Sequence, residues 1–266
     1  MITKIEEIPV TEESYPFASA ERYLKLSEYG YTEKEYYMYG TANVYETVDE
    51  RGTVGVRTAD APYVNRMIVR LPEDVKACSG NVVVEIINPT SFMEIDRMWI
   101  LGWKKFVRDG DIYVGITSKP NTIAKLIEFD SKRYGKLSWP NPTLDVPFSD
   151  YLQATGGLGD LNHNYETGLF WDMLTDLAWL LRKDEEMNPI RAYRRDAICL
   201  TGWSQSGSYL FRYLNSFAYR PDVARGSRVF DGYLAGGGVH SLVIPVNQYE
   251  SVYPYHYSLS HVEKAR

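Results

Sequence analysis

One run of six residues narrows the choice of folds more than any other part of this chain: Val82-Val-Val-Glu-Ile-Ile87, apolar and largely β-branched except at Glu85. A strand that alternates has one wet face. A strand without alternation is covered on both, as a central parallel strand between layers of helices is. The next thirty residues agree: Ile95, Trp99, Leu101, Trp103 and Phe106 lie in a stretch ending at Asp109-Gly110, a helix with a glycine stop. Ile112-Tyr-Val-Gly-Ile116 is then a second short buried strand. Residues 82–116 read as a βαβ unit, whose crossover is expected to be right-handed.

The remainder extends that pattern. Residues 35–46 and 63–71 alternate well enough to be half-buried strands at the sheet edge, paired antiparallel. The first thirty-odd residues are polar and tyrosine-rich. Residues 118–160 contain several prolines and mixed polar sequence and read as a long loop or lid. Beyond it, Phe170, Met173, Leu174, Leu177, Ala178 and Leu181 make the strongest helical stripe, with Asn162 or Asn164 as its cap. Ala197-Ile-Cys-Leu-Thr201 is a strand, Leu210, Tyr213, Leu214 and Phe217 stripe a helix, and Val229-Phe-Asp-Gly-Tyr-Leu-Ala235 is a last strand. The expected fold class is α/β, a doubly wound, mostly parallel sheet with antiparallel N-terminal strands, in one domain over residues 1–266.

Composition removes several function classes. Twenty-nine Lys and Arg against thirty-five Asp and Glu give a net charge of −6 without a basic block, so no nucleic-acid partner is expected. Cys78 and Cys199 lack any neighbouring His at ligand spacing, which argues against a disulfide framework and against a metal site. No run approaches 18 apolar residues and the acidic start is unlike a signal peptide, so the reading is a soluble, cytoplasmic protein without a membrane partner. Gly156-Gly-Leu-Gly159 lacks dinucleotide-binding spacing, and no cofactor is expected. The 22 tyrosines gather near residues 29–45 and 249–257, a density that suits a cleft or an interface.

Chemistry concentrates at Gly202-Trp203-Ser204-Gln205-Ser206. With a strand before it and a helix after it, this fits a nucleophile elbow with Ser in the last place of G-x-S-x-G; an ordinary strand-to-helix loop is the bland alternative. The helix N-terminus then faces the Ser204 hydroxyl, and the Gln205 amide is a natural oxyanion donor. Ser206 is the rival nucleophile. A second donor is expected from Asn88, Thr90 or Ser91, since Pro89 has no N–H, although a plain strand exit explains that loop equally well. Glu85 needs a structural partner, an Arg or backbone donors. Three His follow Ser204. His240, just past Gly236-Gly-Gly238, is the candidate general base or a residue lining the site; His256 and His261 sit in the tyrosine-rich tail, and His163 flanks a helix.

The segment Gly202-Trp-Ser-Gln-Ser-Gly-Ser-Tyr-Leu-Phe-Arg-Tyr-Leu-Asn215, followed by Phe230-Asp-Gly-Tyr-Leu234, resembles a family of bacterial alpha/beta-hydrolase-domain proteins of mostly unassigned substrate. Asn65-Arg-Met-Ile-Val-Arg-Leu71, the strand around Glu85 and Tyr113-Val-Gly-Ile116 are similar to its earlier strands, so the resemblance spans about residues 35–240. It implies an alpha/beta-hydrolase-like fold and Ser204 as nucleophile of an esterase-like enzyme acting on a small-molecule ester. It also implies that the C-terminal strands bearing the acid and the His lie beyond His261-Val-Glu-Lys-Ala-Arg266, in a missing segment or a partner chain. The competing expectation is a binding or assembly subunit that keeps the fold without catalysis.

Overall fold

The computed structural model describes residues 1–49, 52–146, 164–238 and 244–250. Seven strands form one sheet: β1 (Ile2–Ile8), β2 (Tyr31–Thr47), β3 (Val54–Pro72), β4 (Asn81–Ile86), β5 (Ile112–Ile116), β6 (Ala197–Trp203) and β7 (Gly232–Gly236), in the order β1-β2-β3-β5-β4-β6-β7. β1, β2 and β3 pair antiparallel, β3 pairs antiparallel with β5, and β5, β4, β6 and β7 run parallel. The helices are α1 (Ala20–Leu24), α2 (Arg97–Asp109), α3 (Ile123–Phe129), α4 (Ser131–Tyr134), α5 (Phe170–Arg182), α6 (Gln205–Ser216) and α7 (Pro221–Ala224).

The unbroken apolar run in β4 has the expected cause, because the sheet is covered on both faces. Val82, Val84 and Ile86 join the larger core with the α5 and α6 side chains, while Ile87, with Ile68 of β3 and Tyr113 of β5, packs against Trp99 and Phe106 of α2. Glu85 falls on the α2 face. There its carboxylate accepts from the Met98 and Trp99 amides at 2.9 and 3.2 Å and from the Tyr113 hydroxyl at 2.8 Å, so backbone donors are its partners. Burial pushes its pKa up to about 8, against the pull of these donors.

Four expectations need correction. The polar start contains β1, which covers the edge that β2 and β3 were expected to form; its apolar residues, Ile2, Ile5 and Ile8, are spaced by three and do not alternate. The segment after residue 118 is not all loop, since Pro120 opens a 3-10 turn running into α3, whose Ile123 and Leu126 are buried, and α4 follows. Residues 147–160 lie outside the described residues. Glu166, not Asn164, caps the turn before α5 by accepting from the Gly168 amide; the Asn164 carbonyl instead accepts from Asn141, and Asn162 is outside the described residues. Finally, Tyr31, Tyr36, Tyr37 and Tyr45 are core rather than cleft, with Tyr31 donating to the Phe106 carbonyl and Tyr45 to Asp172, both at 2.7 Å.

Candidate functional site

The end of β6 meets α6 with no intervening loop. Ser204 stands between them at φ +56°, ψ −120°, and α6 begins at Gln205. A non-glycine residue held there is strained by about 1–3 kcal/mol. Its neighbours hold it in place: the Ser204 amide donates to the Gly236 carbonyl of β7 at 2.8 Å, and the Ser204 carbonyl accepts from the Ser208 amide at 3.1 Å. The turn is tight enough to exclude side chains. A Cβ on Gly202 would lie 2.5 Å from the Ser206 carbonyl oxygen, and one on Gly207 would lie 2.9 Å from the Gly238 Cα.

This geometry separates the two serines. Ser204 is exposed, at the point where the first amides of α6 lack i−4 carbonyl partners and carry the positive end of the helix dipole. Ser206 is fully buried and its hydroxyl donates to the Ile87 carbonyl at 3.2 Å. Ser118 donates to that same carbonyl at 2.7 Å, so the exits of β4 and β5 and the start of α6 are tied at one oxygen.

The loop after β4 is arranged differently from the sequence expectation. The Asn88 amide donates to the Ile95 carbonyl at 3.0 Å and the Thr90 amide donates to Asn88 Oδ1 at 2.9 Å, so neither is free to hold an oxyanion. Asn88 instead acts as a clamp, its Nδ2 donating to the Trp203 carbonyl at 2.6 Å, one residue before Ser204. Ser91, next along the turn, is exposed and sits at φ +59°.

Two arginines on the α2 face of β3 pin the far end of this loop. Arg66 pairs with Glu35 and, at 2.8 Å, with Glu94; Arg70 pairs with Glu33 at 2.7 Å and with Asp96. Thr117 and Thr122 also donate to Glu94, at 2.9 and 2.8 Å. Each of these four carboxylates therefore meets a cation.

Lys119 meets no counter-charge among the described residues. It follows the exit of β5, is 3 % exposed, and among the described residues has no carboxylate and no hydrogen-bond acceptor. Its ammonium lies 5.0 Å from the centroid of the Tyr209 ring on α6, and desolvation lowers its pKa to about 8. A cation–π contact is worth about 0.5–2 kcal/mol, less than the several kcal/mol of burying an unpaired charge. A single lysine before a proline carries no sequence signal of burial, so sequence reading missed it.

His163, His240, His256 and His261 all lie outside the described residues. Among the described residues there is no cluster of three or more His, Cys, Asp or Glu arranged to hold a metal ion, and no helix long and apolar enough to cross a membrane.

Residues 5–263 match the model of a family described as alpha/beta hydrolase domain. Among solved structures, the chain is similar to the rice cell wall degrading esterase LipA from Xanthomonas oryzae, at 13 % identity and a TM-score of 0.42, over 91 % of this chain and 51 % of that one. It is also similar to esterase B from Lactobacillus rhamnosis, at 14 % identity and a TM-score of 0.33, over 80 % of this chain and 52 % of that one. The chain thus spans about half the length of these structures. No curated protein matches it.

Proposed function

Since the chain belongs to the alpha/beta hydrolase domain family, we propose that it is a serine hydrolase of carboxylic esters, with Ser204 as the nucleophile at an elbow between β6 and α6. The observation that carries this reading is the strained backbone at Ser204, exposed beside the unpaired amides of a helix N-terminus. In it, the Ser204 Oγ attacks the acyl carbonyl, and the Gln205 amide holds the developing oxyanion. With the Asn88 and Thr90 amides engaged elsewhere, Ser91 supplies the second donor from the same loop. A general base, for which His240 is the candidate that the sequence offers, takes the hydroxyl proton and returns it to the leaving alcohol. Water then releases the acyl group by the same route.

A fluorophosphonate probe tests the assignment. Labelling of the wild-type chain should disappear in Ser204→Ala and persist in Ser206→Ala, and hydrolysis of 4-nitrophenyl hexanoate should fall at least about 10³-fold in the first variant. Labelling that survives Ser204→Ala overturns the nucleophile, and a wild-type chain that neither labels nor turns over ester supports the binding-subunit alternative.

A further inference from the structure

Lys119 and Ser204 follow the same end of the parallel strands. Ile116 of β5 and Gly202 of β6 are both in register with Ile86 of β4, so Lys119, three residues past Ile116, and Ser204, two past Gly202, leave the same carboxyl ends two strand spacings apart. That separation is about 10 Å. Crevices at the carboxyl ends of parallel strands are where such sheets bind ligands. The wall between the two residues is α6 itself, since Tyr209, whose ring carries the Lys119 ammonium, lies on the helix that Ser204 opens. The Tyr209 hydroxyl is likewise without a hydrogen-bond partner among the described residues, and Tyr209 is only 5 % exposed. Two residues past Lys119, Asn121 keeps a buried Oδ1 that no donor reaches.

A purely structural lysine would be neutralised, as Arg66 and Arg70 are. The carboxylates that neutralise those arginines lie on the opposite face of the sheet, and among the described residues none faces Lys119, which leaves its ammonium open to an anionic ligand. We propose that Lys119 binds a carboxylate carried on the acyl chain of the substrate, which makes half-esters of dicarboxylic acids, with a chain of about six carbons, the preferred substrate class. This rests on the ester-hydrolase reading. A six-carbon acyl chain reaches roughly across the two strand spacings from Ser204 once its terminal carboxylate meets the ammonium.

The test compares mono(4-nitrophenyl) adipate with 4-nitrophenyl hexanoate, and measures in parallel the shift in melting temperature caused by free adipate. In the full wild-type chain, kcat/KM should favour the charged ester, and adipate should raise the melting temperature. Lys119→Met should lower the charged-to-neutral ratio at least tenfold and abolish the adipate shift, with Lys119→Arg keeping most of both. Lys119→Gln serves as a second neutral variant if the methionine variant does not fold. Hexanoate turnover with an unchanged ratio and an adipate shift indifferent to residue 119 would overturn the subsite and leave the hydrolase standing. An adipate shift that depends on Lys119, without turnover of either ester, would uphold the subsite and overturn the hydrolase. If neither ester is cleaved and adipate has no effect, both fall.

Discussion

Arg66 and Arg70 on one face of this sheet and Lys119 on the other meet opposite fates. On the α2 face, Arg66 and Arg70 each pair with two buried carboxylates, and through Glu94 and Asp96 they hold the loop that leads from β4 into α2. Beside α6, Lys119 is also buried, and among the described residues it has only an aromatic face for company. A charge that is fully matched within the protein fixes architecture, whereas one left unmatched stores free energy that a ligand can release.

Substitution breaks this contrast most sharply. Arg70→Met should strand Glu33 and Asp96 without their cation and lower the unfolding free energy by about 3–5 kcal/mol, read by urea denaturation. Lys119→Met should act in the opposite direction, raising stability at neutral pH by about 2 kcal/mol, because it removes a buried charge that no carboxylate among the described residues meets. The pH dependence has a definite sign: the folded pKa of Lys119, about 8, lies below its ordinary value of 10.5, so the unfolded chain binds more protons between these limits. Wild-type stability should therefore gain a rising contribution from pH 8 to 10.5 that the Met variant lacks. A loss of stability in Lys119→Met would place this residue with the arginines and erase the contrast.

Smaller effects sharpen it. Asn88→Ala removes the clamp on the Trp203 carbonyl and should reduce kcat about tenfold with little change in KM, since the turn and not the substrate contact is loosened. Glu85 is the acidic counterpart on the α2 face: its folded pKa, about 8, lies above the ordinary 4.5, so the folded state holds the extra proton between them. Its contribution to stability is complete below 4.5 and is lost as pH rises towards 8. Glu85→Gln should flatten the stability profile across that window, by up to about 1.4 kcal/mol per pH unit, measured by denaturation at a series of pH values.

The parallel half of the sheet was legible in the chain because its strands are short and buried on both faces, so residues 112–116 and 197–201 announce themselves by hydrophobicity alone. β1 was not, because its glutamates and spaced isoleucines look like a polar tail until β2 pairs with it. The tyrosines of β2 misled for a related reason. A phenol reads as an interface residue in sequence and becomes a core residue once the Phe106 carbonyl or Asp172 satisfies its hydroxyl. The small residues around Ser204 were legible because sterics at a tight turn leave little choice of residue type.

Local order therefore settled the sheet's parallel strands, the helix stripes and the serine turn, all of which depend on residues within a few positions of one another. Which hydroxyl stays exposed, which amides of the 88–91 loop are already engaged, and which buried cation has a partner depend on groups brought together across the sheet. Hydrogen bonds and charges act over a few ångströms in space, whatever the distance along the chain, so those answers came only with the packed structure.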